Sequence, residues 1–243
     1  MQKTLVAIIT VVGIIIAAGV IGRAYTYKFK QNETVTVTGL AEKNFTSDLI
    51  VWRGSFERKS PDLKSAYALI KADEDAVKQY LIQNKILDSE FVFSSINIDK
   101  QFSDIYNSNG TRTGSTFTGY GLNETVTVQS KEIDKIEKVS RGITQLIENG
   151  IEFNSYTPAY YYTKLSDLKI DLLAKASADA HKRAETIAEN SGNSLGKIKN
   201  ANMGVFQITG QNTNEDFSEG GTFNTSSRNK KASITVRIDY AVK

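Results

Sequence analysis

Hydrophobic residues are arranged along this chain in two distinct ways. From Thr4 to Gly22 they run without a charge for 19 residues between Lys3 and Arg23, and no face of the run is polar. At about 1.5 Å of helical rise per residue, that run reaches nearly 30 Å, the hydrocarbon thickness of a bilayer. A cleaved signal peptide would carry an apolar core of roughly 7–15 residues followed by a small-x-small site. Here the run is longer, and Ala17, Ala18, Gly19 and Gly22 lie inside it. The pattern predicts an uncleaved transmembrane signal-anchor over residues 4–22, with a cleaved periplasmic form as the alternative. Residues 1–3 become a short cytoplasmic tail and residues 23–32 a basic juxtamembrane linker. Lys3 favours a cytoplasmic N-terminus, while Arg23, Lys28 and Lys30 weaken that bias from the other side. The very short tail decides for a domain facing the periplasm from the inner membrane.

From residue 33 onward the pattern alternates or recurs at helical spacing. Thr34–Gly39 and Leu49–Phe56 read as strands. Ser60 and Pro61 mark a helix start, and Leu63, Ala66, Tyr67, Ile70, Val77 and Leu81 give that helix one apolar face. Phe91–Ile98 alternates again, Asp99–Ser115 reads as a loop or hairpin tip, and Phe117–Val128 is a strand interrupted near Gly119 and Gly121. A second helix spans Lys131–Asn149 and stops at Gly150; a tyrosine-rich strand covers Ile151–Tyr162. A third helix runs from Leu165 to Ser191 and ends at Gly192. Leu195–Ile208 and Lys231–Val242 are the last strands, joined by the loop Thr209–Asn229. Strands in adjacent runs with helices between them predict an α+β fold, a mainly antiparallel sheet with three helices, over residues 33–243.

Charge and composition narrow the functions available. Of the formal charge of +3, the four cations at residues 3, 23, 28 and 30 account for more than the whole, leaving −1 on residues 33–243. A nucleic-acid binder needs a concentrated basic face, and Arg228, Lys230 and Lys231 form only a short cluster. No nucleic-acid partner is expected. The chain has no cysteine, which removes disulfides, thiolate metal sites and thiol nucleophiles.

Candidate chemistry is sparse. His181 is the only histidine, and its sequence neighbours Asp179 and Lys182 point elsewhere on the helix. Gly119-Tyr-Gly121 lies inside a strand, and Gly192 and Gly196 follow a helix, so neither pair has the strand-to-helix context of a phosphate loop. Glu215, Asp216 and Glu219 depart from the order of a calcium-binding loop. The segment 209–229 reads as a mobile surface loop with room for a docking role. Tyr156, Tyr160, Tyr161 and Tyr162 suit core packing, a subunit interface or stacking on a ligand. No catalytic, cofactor-binding or metal-binding residue is assigned, and no cofactor is expected.

One stretch carries a family resemblance. Ala176-Ser-Ala178-Asp179-Ala180-His-Lys-Arg183-Ala184-Glu185-Thr-Ile-Ala188, followed by Gly192 and Leu195-Gly196-Lys-Ile198, resembles the SIMPL-domain family of bacterial envelope proteins. Val35-Thr-Val37-Thr-Gly39, Tyr120 with Thr125-Val-Thr-Val128, and Ile234-Thr-Val236 through Tyr240 are similar to the family's strands. The resemblance spans residues 33–243. One departure is Ser47-Asp48, where the family often has a proline before the acid. The resemblance implies a periplasmic or envelope domain that self-associates, with relatives linked to oxidative-stress defence and to immunogenic periplasmic proteins, and it brings no catalytic residues. Independently, Ala176, Ala180, Ala184 and Ala188 stand four apart and stack on one helix face, which lets that helix approach a neighbour closely.

The expected protein is therefore a non-enzymatic, membrane-tethered homo-oligomer, or a binder of an envelope protein partner, acting through strand edges and the alanine-faced helix. A small-molecule-sequestering module is one alternative. An enzyme using dispersed carboxylates on cell-wall glycans is another.

Overall fold

The computed structural model describes residues 2–30 and 33–243, with side chains for residues 11–25 and 33–243. A helix, α1, occupies Gln2–Lys30. Its described apolar side chains, Val11 and Val12 through Val20 and Ile21, are exposed on consecutive positions, so no face of residues 11–25 is buried. Among the described residues no helix is long and apolar enough to cross a membrane. The expected span at residues 4–22 thus coincides with a helix but is not seen as a span, and side chains 4–10 lie outside the described residues.

The rest is α+β and built on two antiparallel sheets. The first contains β1 (Thr34–Thr46), β8 (Leu195–Met203), β9 (Gln207–Gly210) and β10 (Asn229–Val242). β10 is central, pairing β1 from Thr34↔Ala241 to Thr46↔Asn229 on one side and β8 and β9 on the other. Helix α4 (Leu165–Asn190) covers one face, and its Leu168, Leu172, Ala176, Ala180 and Ala184 form a core with Val37, Ile234, Val236 and Ile238.

The second sheet contains β2 (Leu49–Ser60), β3 (Phe91–Phe93), β4 (Asn97–Tyr106), β5 (Arg112–Ser130), β6 (Phe153–Ser155) and β7 (Ala159–Tyr161). β5 and β2 pair at its centre; β3 and β4 follow each other along the outer edge of β5, and β6 and β7 along that of β2. Helices α2 (Leu63–Gln83) and α3 (Ile133–Gly142), with a 3-10 stretch at Ile143–Asn149, cover one face around Trp52, Phe56, Ile70, Leu81, Leu122 and Ile136. The chain enters the second sheet after β1 and returns to the first through α4. The second sheet is therefore an insertion within the first.

Several predicted boundaries move, each for a physical reason. Ser60 does not cap α2, because β2 continues to the pair Ser60↔Tyr120; Asp62 caps instead, accepting from the Ser65 N–H at 2.8 Å. The predicted loop 99–115 is mostly strand, and only residues 107–111 remain as the tip of the β4–β5 hairpin. The helix 131–149 is α only to Gly142. The tyrosine-rich strand splits into β6 and β7, each meeting β2 over three residues. Leu195–Ile208 likewise divides at residues 204–206 into β8 and β9. Gly150 and Gly192, at φ 73° and 74°, end their helices as predicted.

Candidate interaction surfaces

Each residue singled out from the sequence now has a place. The alanine stripe packs inward: Ala176, Ala180, Ala184 and Ala188 are all buried. At its centre a methyl group on Gly39 of β1 would lie 2.1 Å from the Ala176 carbonyl oxygen, so helix and strand touch backbone to backbone. The expected role of that helix face as a binding surface is corrected, because the sheet already occupies it. Arg183 does form a surface ion pair, with Asp179 one turn earlier at 2.8 Å. His181 is exposed on α4, its ring edge-on to Tyr240 at 5.8 Å. Among the described residues no carboxylate is hydrogen-bonded to it.

Gly119 belongs to a bulge, at φ 149°, with Ser60 and Pro61 pressed against it; a side chain there would meet the Ser60 oxygen at 2.5 Å. The tyrosines serve the fold in different ways. Tyr160 donates to Glu137 at 2.9 Å, and burial followed by that bond pushes its hydroxyl up to about 12. Tyr156 shares a hydrogen bond with Ser55, and Tyr162 packs on Phe45.

Residues 211–220 are exposed, as expected of a surface loop, and buried polar side chains at the base of the 211–228 segment hydrogen-bond across it. Gln207 accepts from the Thr222 N–H at 2.7 Å and donates to the Ser218 carbonyl at 2.7 Å. Asn224, almost wholly buried, accepts from the Ser227 N–H, and its amide donates to Glu215. The Lys230 ammonium, 2% exposed, donates to both oxygens of Asn224, and burial pulls it down to about 8. Glu215 is spent on Asn224 and on the Gly210 N–H, so it is not offered to a cation. Among the described residues no three His, Asp or Glu side chains gather as a metal-binding group.

Two polar features emerge from the structure, one at Glu124, which the sequence did not single out, and one at Asp48, which it marked only as a departure from the family pattern. Glu124 on β5 is 3% exposed, shares the inner face with Leu122 and Val126, and has no partner for Oε2. Burial, with Glu74 of α2 nearby, pushes it up to about 7. It lies on the face of β5 that α2 covers. Asp48 accepts from the Thr163 N–H and hydroxyl, at 2.7 Å each, where the chain passes between the sheets. Beside it a cleft of about 720 Å³ carries both signs of charge. Its acids Asp48, Glu132 and Asp134 are taken up by Thr163, Lys135 and Arg228 respectively.

The unsatisfied surfaces are strand edges. β4 pairs only with β5, and the hairpin they form exposes Ile98 (51%), Phe102 (58%), Ile105 (49%), Tyr106 (60%) and Phe117 (45%). Phe102, Phe117 and Tyr120 make a chain of edge-to-face contacts at 5.7 and 5.2 Å. β1 likewise has β10 on one side and no strand on the other.

Two antiparallel sheets, each covered by helix on one face, define an α+β domain. The family model described as SIMPL, Protein of unknown function (DUF541), matches residues 35–240, and the chain belongs to that family. No curated protein matches it.

Proposed function

We propose that this SIMPL-family protein is tethered to the inner membrane by its N-terminal helix, faces the periplasm, and acts by association rather than catalysis, its domain pairing with a second copy through β4. The observation carrying this reading is the hairpin edge: a long strand with open backbone groups and large apolar side chains exposed along it. An open edge templates pairing with another chain, and of the charges on this one Lys100 and Asp104 can be matched by a second copy.

The strand is also self-complementary. Antiparallel pairing about a two-fold axis at Phe102 sets Lys100 opposite the second copy's Asp104, Ile98 opposite its Tyr106, and Phe102 opposite Phe102. Asp104 already holds Arg112 of its own hairpin at 2.7 Å and keeps an acceptor for the incoming lysine. The bulges fall in β5, leaving β4 regular across this register. For the tether, the supporting observation is a helix whose described apolar side chains find no protein to bury them.

Light scattering of the full chain in detergent, corrected for the micelle, tests the pairing. A dimer at tens of micromolar that Phe102→Asp converts to monomer is expected; a wild-type monomer contradicts it. A C-terminal alkaline phosphatase fusion tests the orientation, with activity expected and an inactive cytosolic reporter contradicting it.

A further inference from the structure

β1 offers a second edge whose geometry is different. The Leu40 N–H donates to Asp179 on α4 at 2.9 Å, away from β10. Backbone groups two residues apart on a strand point to the same side, so the amides and carbonyls of Thr36 and Thr38 face that way too. The amides of both have no partner among the described residues. Between them and α4 lies a groove of about 620 Å³ with Lys182, Arg183, Thr186 and Ile187 as its far wall.

The charges of this groove favour an acid. Asp179 accepts from Leu40 and from Arg183 on one oxygen, and its carboxyl is held below the usual range by the Leu40 amide first, then by Arg183 and the Lys182 charge. The Lys182 ammonium makes no hydrogen bond or close ion pair among the described residues, although its charge also acts on Asp179, so two cations face one carboxylate along this wall beside the half-exposed Ile187. The Asp179 cap at Leu40 also closes the open edge at one end. An incoming strand is thereby confined to about five residues alongside Thr34–Thr38.

We propose that this groove binds an extended acidic peptide segment of a partner protein, which adds to the first sheet beside β1. The segment hydrogen-bonds the backbone of Thr36 and Thr38, sets a carboxylate against Lys182 and lays an apolar side chain on Ile187. Strand addition of this kind takes affinity from the main chain and selectivity from alternate side chains. The site lies on the other sheet from β4 and goes beyond the pairing proposed there.

The test uses the full chain in detergent micelles and two peptides of about seven residues, one alternating valine with glutamate and one alternating valine with lysine. The glutamate peptide is expected to slow amide hydrogen exchange at Thr36 and Thr38 and to bind more tightly than the lysine peptide. Lys182→Glu is expected to weaken the glutamate peptide about fivefold, the most that one exposed ion pair supplies. Thr38→Pro removes an outward N–H at an edge that tolerates proline and should abolish binding without lowering the melting temperature appreciably. If Thr38→Pro fails to fold, Lys182→Glu carries the test alone. Unchanged exchange with the glutamate peptide, or equal binding of both peptides, overturns the proposal. So does protection of Thr36 and Thr38 that appears without peptide and grows with protein concentration, since a second copy would then be the occupant. Pairing through β4 stands or falls separately from all of these.

Discussion

Asp48 accepts two hydrogen bonds from Thr163, from the backbone N–H and the hydroxyl, each at 2.7 Å. The two residues lie on the outgoing and returning crossings between the sheets, so one carboxylate ties both passages together. Neighbouring backbone bonds reinforce the seam: Asp48 donates to the Tyr161 carbonyl at 3.0 Å and Ser47 to the Arg228 carbonyl at 2.9 Å. Asp48→Ala should cost about 2–3 kcal/mol in urea unfolding, because charge-assisted bonds are lost together. Faster amide exchange at residues 161–163 should accompany it. Loss of stability without that local change would mean the carboxylate does not hold the seam.

Contact between Gly39 and α4 leaves no room for a side chain. Gly39→Val should lower stability by about 3 kcal/mol, since overpacking against backbone has no flexible neighbour to yield. Adding Ala176→Gly should not restore it, because the obstruction is the carbonyl oxygen. Thermal melts of the single and double variants decide the matter.

Glu124 makes stability depend on pH. With its carboxyl raised from the ordinary glutamate value of 4.5 to about 7, the folded chain keeps a proton that the unfolded chain releases inside that interval. Stability should fall as pH rises from about 4.5 to 7 and show no further contribution above it. Glu124→Gln, neutral throughout, should be more stable than wild type at pH 8 by at most about 3 kcal/mol and nearly equal to it at pH 4.5. Chemical denaturation at both pH values measures this, and a constant difference between the two would contradict it.

Asn224 joins Lys230, Glu215 and Ser227 beneath the 211–228 segment. Asn224→Ala should cost about 2–3 kcal/mol by leaving buried polar groups without partners. Limited proteolysis should then cut within residues 211–222, where wild type resists. Equal resistance would show that the segment is ordered by other means.

Much of the architecture was legible in the chain. Helical spacing located α2 and α4, the four-residue alanine interval announced the close packing against β1, and glycines marked the helix ends. β4 was missed because Asp99, Lys100, Gln101 and Ser103 break any alternation: the strand has little core to face, and pairing with β5 alone holds it. Order in residues 211–228 was hidden for another reason. It depends on single polar side chains reaching across the segment, and such contacts leave no period. Glu124 could have been found, since two-residue spacing puts it on the same face as Leu122, Val126 and Val128. The β4 and β1 edges depend on which strands end up at the border of a sheet, which only the assembled topology reveals.

Because the chain lacks cysteine, a single introduced thiol reports one position without interference. Phe102→Cys in the full-length protein, oxidised in membranes, places the thiol at the two-fold axis of the β4 pairing. Rapid formation of a disulfide-linked dimer, with Lys197→Cys on β8 remaining monomeric under the same oxidant, is the result expected. Phe102→Cys staying monomeric, or cross-linking no faster than Lys197→Cys, would contradict association through the hairpin edge.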